Sequence, residues 1–257
     1  MRPARFVPAV ALAVLVATPA RAEIIKVEIT RRADVAGGRS LGPAGAYELV
    51  EGRLLIALDP SNRYNGRIVD LALAPRTGNR VQAWADFAAL RPKEGGRSGT
   101  ALIDVSNRGL KYLTSTLDFG TMAAHPTSLD DLGDRLLLEL GLTLIWVGWQ
   151  HDVPPDDPDR VGLEAPIATG PGGKTLTGLV RADWVIHRPT RSLSLSHASH
   201  VAYPVIDPDS PETVLTVRDG RNAPRQVVPR SEWRLGREVD GKVVDDAAWI
   251  YSEKGFT

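Results

Sequence analysis

The sequence contains no cysteine, which is the most informative absence in its 257 residues. Disulfide bonds, thiolate metal sites, iron–sulfur clusters and cysteine nucleophiles are therefore excluded. Aromatic residues make up only 6% of the chain, although six of them are Trp. Neither sign of charge is in excess, since Lys plus Arg and Asp plus Glu both number 31. This balance gives no basis for binding nucleic acid or an anionic membrane.

The first 22 residues have the pattern of a secretory signal peptide. Arg2 and Arg5 form a short basic start, residues 6–16 are an apolar run, and Ala20 and Ala22 supply an A-x-A cleavage site. The apolar run is too short to span the roughly 30 Å of bilayer hydrocarbon. We therefore expect a periplasmic or secreted protein that has no contact with the membrane after cleavage.

Export makes the first testable prediction. Because signal peptidase cuts after small residues, the exported protein is expected to begin at Glu23 and to read Glu-Ile-Ile-Lys. N-terminal sequencing of protein recovered from outside the cytoplasm measures this directly. A recovered product that still carries Met1 would contradict the assignment.

The stretch after position 22 predicts antiparallel strands. Ile25, Val27 and Ile29 alternate with polar residues, and residues 81–87 repeat that alternation. Residues 47–58 indicate a pair of strands with a glycine between them. Strands that are apolar on one side only are typical of antiparallel sheets with one face in water.

The pattern changes at residues 101–105, a short apolar run typical of a strand covered on both faces. Residues 128–140 predict a helix with Ser128 as its N-cap and Asp131 at the spacing of a capping box. Residues 142–147 form a second apolar run. Strand, helix and strand in this order predict a βαβ unit with parallel strands.

The remainder of the chain returns to a β pattern. Residues 180–186 alternate as a strand would, and residues 239–242, Val-Asp-Gly-Lys, are typical of a hairpin turn. The sequence therefore predicts three parts. They are a signal peptide (1–22), a first region (23–151) and a β-rich region (152–257).

A serine-hydrolase elbow motif, G-x-S-x-G, occurs once, at residues 38–42. The motif requires a buried strand before the serine and a helix after it, so that the hydroxyl stands on a sharp turn. Neither neighbour has that character, and Ser40 is therefore predicted not to act as a nucleophile.

Two polar segments follow the apolar runs and are the better candidates for a site. Asn107, Arg108 and Gly109 follow the first run, while residues 148–152, Gly-Trp-Gln-His-Asp, follow the second. Chemistry in sheets with parallel strands takes place beyond the carboxyl ends of the strands. The alternative is that Asn107 and Arg108 only staple a tight turn, and that Trp146 and Trp149 only pack.

Histidine offers weaker signals. His151 lies beside Asp152, but neighbours in a loop seldom adopt charge-relay geometry. His197 and His200 have H-x-x-H spacing without a third ligand at a diagnostic distance, and the acidic loop 151–160 lacks the spacing of a calcium loop. We therefore predict neither a metal nor a cofactor.

Taken in order, a set of short motifs resembles the N-terminal region of exported bacterial "alpha/beta hydrolase domain" proteins. The Asn-Arg-Gly and Gly-Trp-Gln-x-Asp motifs are the most specific of them, and the resemblance extends over residues 23–257. The matching residues are Tyr47-Glu48, Gly52, Asp59-Pro60, Asn65, Asp70, Ala74-Pro75-Arg76, Asn107-Arg108-Gly109, Gly141 and Gly148-Trp149-Gln150-His151-Asp152.

The resemblance implies a fold and a function. It implies an incomplete α/β-hydrolase-type sheet with N-terminal antiparallel strands and a β-rich insertion, from a serine hydrolase of ester or acyl bonds. Asn107, Arg108 and Gly109 would belong to the oxyanion loop, and we name Trp149, Gln150 and Asp152 as candidate substrate contacts. The family places its nucleophile, acid and histidine after this insertion, so no triad residue is assigned. We expect this chain alone to be inactive.

A second function belongs to a different class. An exported β-rich module could bind a glycan or another polymer by stacking its Trp rings on the ligand. Exposure of Trp184, Trp233 and Trp249 on one face would favour this alternative, and their burial would favour the hydrolase.

Overall fold

A computed structural model describes residues 22–94, 98–155, 157, 159–196 and 200–257. The predicted signal peptide lies outside the described residues, except for Ala22, which begins the first strand. The strands are β1 (Ala22–Asp34), β2 (Tyr47–Leu58), β3 (Val81–Pro92), β4 (Ala101–Asp104), β5 (Thr143–Val147), β6 (Leu163–Glu164), β7 (Thr190–Ser194), β8 (Thr216–Val217), β9 (Gln226–Val227), β10 (Arg234–Leu235), β11 (Arg237–Val239), β12 (Lys242–Val244) and β13 (Trp249–Phe256). The α-helices are α1 (Leu113–Leu117), α2 (Leu129–Leu132) and α3 (Leu136–Glu139).

The main sheet has the strand order β1-β2-β3-β5-β4, and the short strand β6 pairs with β3. All neighbours are antiparallel except β4 and β5, which are parallel as predicted. The stretch predicted as two strands is the single strand β2. Gly52 lies within it because β1 passes so close that a Cβ there would be 1.9 Å from the carbonyl oxygen of Glu28.

One face of this sheet carries the hydrophobic core. Trp146, Leu144 and Leu90 are fully buried there beneath Leu132 and Leu138 of the short helices. The hydroxyl oxygen of Tyr47 in β2 lies 2.9 Å from the carbonyl oxygens of both Leu138 and Leu142, and its single proton is donated to this pair of acceptors. Burial raises the pKa of Tyr47 to about 12, so this hydroxyl stays protonated and continues to donate.

The opposite face of the sheet is also apolar but is less covered. The strand registers place Ile103 beside Ile145, and Val27 beside Leu54, on this face. Ile103 is 61% exposed and Val27 is 55% exposed. The sheet therefore has one packed face and one face on which several large apolar side chains meet water.

The predicted fold class, an α/β-hydrolase-type sheet, is wrong. Strands make up 35% of the chain, the three helices have only four or five residues, and several small sheets are present. An α/β fold needs amphipathic helices long enough to cover a parallel sheet on both faces. Here the helix predicted over residues 128–140 is divided by Gly133 (φ 57°) and Arg135 (φ 63°). The Ser128–Asp131 capping box is present, but it begins only one turn of helix.

The later part of the chain forms small antiparallel sheets. β7, β13 and β10 make a three-stranded sheet over a second core of Trp233, Leu235 and Ile250. β11 and β12 form the predicted hairpin, with both turn residues at positive φ as a type I′ turn requires. The strand predicted over residues 180–186 is not formed, and Trp184 instead packs against the second core. No helix in the described part of the chain is long and apolar enough to cross a bilayer.

Candidate functional site

The two candidate segments lie side by side, because β4 and β5 are parallel neighbours. Their register pairs Asp104 with Trp146, so both strands end at the same edge of the sheet. Residues 105–109 continue from one strand and residues 148–152 from the other. The parallel pairing therefore brings together the two motifs that the sequence analysis selected.

Three hydrogen bonds join the two segments. The indole N–H of Trp149 donates to the carbonyl oxygen of Ser106 at 2.6 Å. The backbone N–H of Arg108 donates to Oε1 of Gln150 at 2.6 Å, and the Arg108 guanidinium forms an ion pair with Asp152 at 2.5 Å. Arg108 has a φ of 53°, a conformation rare for residues other than glycine. The side chains of Trp149, Gln150 and Asp152 thus hold the Asn-Arg-Gly turn in this strained shape.

A third segment contacts the turn from the other side. Nη1 of Arg160 donates to the carbonyl oxygen of Arg108 at 2.8 Å. The backbone N–H of Val161 donates to the carbonyl oxygen of Gly109 at 2.9 Å. A Cβ on Gly109 would lie 2.6 Å from the Val161 carbonyl oxygen, so only glycine fits there. Residues 160 and 161 reach the turn only through tertiary contacts, so no pattern in the sequence indicates that they belong to the site.

A fourth segment, residues 200–205, lies against Asp152. The N–H of Val201 donates to the backbone carbonyl of Asp152 at 2.8 Å. Nδ1 of His200 lies 3.8 Å from the side-chain carboxylate of Asp152. His151 contacts the hydroxyl of Tyr203 at 2.5 Å. Burial raises the pKa of Tyr203, so the hydroxyl remains protonated at neutral pH.

These contacts decide one of the two histidine hypotheses. The carboxylate of Asp152 pairs with Arg108 and lies near His200, while the ring of His151 contacts Tyr203. The charge-relay interpretation of His151 and Asp152 is therefore wrong. His197 of the H-x-x-H pair lies outside the described residues, and within the part of the chain that is described no three His, Asp or Glu side chains are placed to hold a metal ion.

The geometry reduces the number of backbone amides in the Asn-Arg-Gly turn that could stabilise an oxyanion. The Arg108 amide is engaged by Gln150, so a developing negative charge could be met only by the amides of Asn107 and Gly109. Among pairs of described residues, no serine hydroxyl is hydrogen-bonded to a histidine. Ser106 is 1% exposed, and its hydroxyl has no hydrogen-bond partner in the part of the chain that the structure describes.

Ser40 has the surroundings expected of a structural residue. Its hydroxyl donates to the carbonyl oxygen of Gly42 at 3.0 Å, and its backbone forms an isolated bridge with Ala46. Without an adjacent base the hydroxyl is a weak nucleophile. We expect no labelling of Ser40 by a fluorophosphonate probe, as checked by peptide mass spectrometry. A labelled Ser40 in the folded protein would show that the motif is active after all.

Lys111 is buried beside the turn. It is 3% exposed and donates to the carbonyl oxygen of Asp159 at 3.0 Å. Burial lowers the pKa of this amine below its ordinary value of 10.5, because desolvation disfavours the charged form. Sequence reasoning missed this residue, since an isolated lysine gives no signal of burial.

The lowered pKa of Lys111 predicts a pH dependence. Below the folded pKa the amine is charged in both the folded and the unfolded state, so the cost of burying the charge is fully present. Between the folded pKa and 10.5 the unfolded state binds more protons, and stability therefore rises with pH. The free energy of unfolding of wild type, relative to Lys111→Met, should increase between pH 7 and pH 10.5 in urea titrations. An unchanged difference would contradict this assignment.

A concavity of about 570 Å³ lies elsewhere, near Asp34, Arg39 and Ser128. None of the candidate site residues lines it. The contacts at the ends of β4 and β5, rather than this open depression, bring together the polar groups selected from the sequence.

Comparison of the chain with protein-family models, with curated proteins and with solved structures gave no match. The resemblance to exported hydrolase proteins therefore depends on the short motifs alone.

Proposed function

We propose that this chain forms the substrate-side part of an exported serine hydrolase that cleaves ester or related acyl bonds. The supporting observation is the interlock of Asn107–Gly109 with Trp149–Asp152 at the carboxyl ends of two parallel strands. The motifs that carry the resemblance are thus joined in space, at the edge where sheets with parallel strands hold their ligands.

In this proposal the chain supplies binding and oxyanion contacts, and further polypeptide supplies the nucleophile. The serine oxygen attacks the acyl carbon while its proton passes to a histidine, and the amides of Asn107 and Gly109 stabilise the oxyanion. The alcohol leaves with that proton, and water then hydrolyses the acyl-serine. The role of Gln150 is to hold the turn, since its side chain accepts from the Arg108 amide.

The test begins with the nucleotide sequence downstream of the Thr257 codon. The proposal requires a continuing frame that encodes a strand, G-x-S-x-G and a helix, and a stop without such a frame would overturn it. The 257-residue chain should not hydrolyse p-nitrophenyl butyrate, whereas the longer product should do so and react with a fluorophosphonate.

Variants of Gln150 in the longer product test the site itself. Gln150→Leu removes the acceptor of the Arg108 amide and should lower kcat by about 10- to 100-fold, because a turn displaced by about 1 Å misplaces the oxyanion donors. Gln150→Glu keeps an acceptor and is the matched control, which should retain most activity. Equal activity of the two variants would show that the contact between Gln150 and the Arg108 amide has no role in the proposed hydrolysis.

A polymer-binding module is the second candidate function, and one residue favours it. Trp149 is 53% exposed while its indole N–H is fixed to Ser106. By contrast, Trp233 is 6% exposed and Trp184 and Trp249 are half-buried, so these three do not form an exposed aromatic face. Binding of soluble xylan or β-glucan that is lost in Trp149→Ala, in the 257-residue chain, would support this function over hydrolysis.

A further inference from the structure

β1 lies at the edge of the main sheet. Among the described residues this 13-residue strand pairs with β2 alone, on one of its two sides. Ile24, Val27 and Ile29 are 56%, 55% and 44% exposed. An edge of this length offers unpaired backbone groups and apolar side chains to another strand.

The charges of β1 are arranged symmetrically, with opposite signs, about Val27. Lys26 and Glu28 flank it directly, and Glu23 and Arg31 stand four residues away on either side. An antiparallel copy of the strand centred on Val27 would therefore place every one of these charges opposite its counter-charge.

We propose that β1 pairs antiparallel with β1 of a second copy of this chain, with the two-fold axis at Val27. In this register Lys26 faces Glu28, Ile25 faces Ile29, and Glu23 faces Arg31. Opposite charges that face each other across an antiparallel pair are stabilising, and like charges are destabilising. The pairing does not depend on the proposed hydrolase function.

The neighbouring registers are unfavourable. An axis at Lys26 would place two lysines face to face, and an axis at Glu28 would place two glutamates face to face. Val27 also lies beside Leu54 on the exposed apolar face of the sheet, so an axis at Val27 continues that face into the second copy. Charge and apolar contact therefore select the same register.

The charged residues of β1 already form ion pairs within one copy, and these pairs do not prevent them from changing partners in the dimer. The Lys26–Glu28 and Glu23–Arg80 pairs involve exposed side chains. Arg31 pairs with Glu51, which is only 14% exposed but also contacts His125 and therefore keeps a partner if Arg31 leaves. Exposed pairs contribute little to stability, so changing partners costs little.

Two irregularities limit where the copies can meet. The register of β1 on β2 shifts between Ile24 and Lys26 and again between Ile29 and Arg31. Bulges often protect an edge strand from pairing. Here they lie on either side of residues 26–28, so the segment that contains the axis is regular.

Disulfide trapping tests the register. Because the chain has no cysteine of its own, an introduced thiol can pair only with the same thiol of a second copy. Val27→Cys would place two thiols directly opposite each other, with Cα atoms about 4.5–5.5 Å apart, within disulfide range. Ile29→Cys is the matched control, because its two copies would be offset by four residues, or about 13 Å. We expect mild oxidation to trap a dimer of Val27→Cys and not of Ile29→Cys. Any other pattern, including trapping of neither variant, overturns the proposal.

Charge reversal tests the same pairing without a covalent bond. Lys26→Glu and Glu28→Lys each create two like-charge pairs per dimer and should weaken dimerisation about tenfold in sedimentation velocity. The double variant restores both pairs and should restore the dimer, while Lys242→Glu on the β11–β12 hairpin controls for net charge. A wild-type protein that stays monomeric, or single and double variants that behave alike, would contradict the proposed interface.

Discussion

Replacing Gly148 with alanine is expected to lower the free energy of unfolding by about 2–4 kcal/mol. A Cβ at this position would lie 2.1 Å from the carbonyl oxygen of Gly162. That oxygen accepts from the N–H of Asp86, and the Gly148 N–H donates to the carbonyl of Asp86. Three backbone segments therefore meet at Gly148, and none can move without breaking a hydrogen bond.

Urea or thermal unfolding measures the effect, and Gly220→Ala is the control. No atom lies within 4 Å of a Cβ at Gly220, so that variant should change stability by less than about 1 kcal/mol. Equal stability of the two variants would show that the segments at Gly148 can separate freely. The candidate site would then lack the rigid support described above.

Replacing Trp146 with alanine is expected to lower the free energy of unfolding by about 3–5 kcal/mol, at least as much as Gly148→Ala. Trp146 has no exposed surface and lies in the core cluster between the sheet and the short helices. Its indole N–H has no hydrogen-bond partner among the described residues, so the stabilisation comes from packing rather than from polar contact.

Trp149→Ala is the matched comparison, three residues along the chain. Its side chain is 53% exposed and makes one hydrogen bond, to Ser106. The variant should lose about 1 kcal/mol and remain folded, as a net hydrogen-bond contribution predicts. If chemical unfolding showed the reverse order, the assignment of one Trp to the core and the other to the surface would be wrong.

The sequence predicted the placement of the site better than it predicted the fold. Two apolar runs of strand length imply parallel neighbours, and parallel neighbours bring their carboxyl ends together. That reasoning placed Arg108 near Gln150 and Asp152. It could not place Arg160 or Tyr203, because they reach the site through loops that have no periodic pattern.

The error in fold class has a local cause. Leucines at positions 132, 136, 137 and 140 form a stripe with helical spacing, but Gly133 lies within it. In the structure Gly133 approaches so close to residue 118 that a Cβ would lie 1.9 Å from the Asp118 carbonyl oxygen. The tertiary contact ends the helix there, and short turns replace the long helix on which an α/β architecture depends.

The alternation at residues 180–186 misled for a related reason. Apolar and polar residues alternate there, but a strand also needs a partner that offers backbone hydrogen bonds. Trp184 instead directs its indole N–H to the carbonyl of Ser194 at 2.7 Å and packs on the second core. A side-chain anchor thus produces the same alternation as a strand.

The strand order also has a consequence for how the chain folds. β1, β2 and β3 pair with their neighbours in sequence, so this meander can form as soon as residue 92 is available. β4 cannot join it, because β5 lies between β3 and β4 and is separated from β4 by 38 residues. The conformational entropy of the 38-residue connection must be lost before the contacts at the site can form. During synthesis, where the chain emerges from its N-terminus, the meander should form first and the candidate site should assemble last.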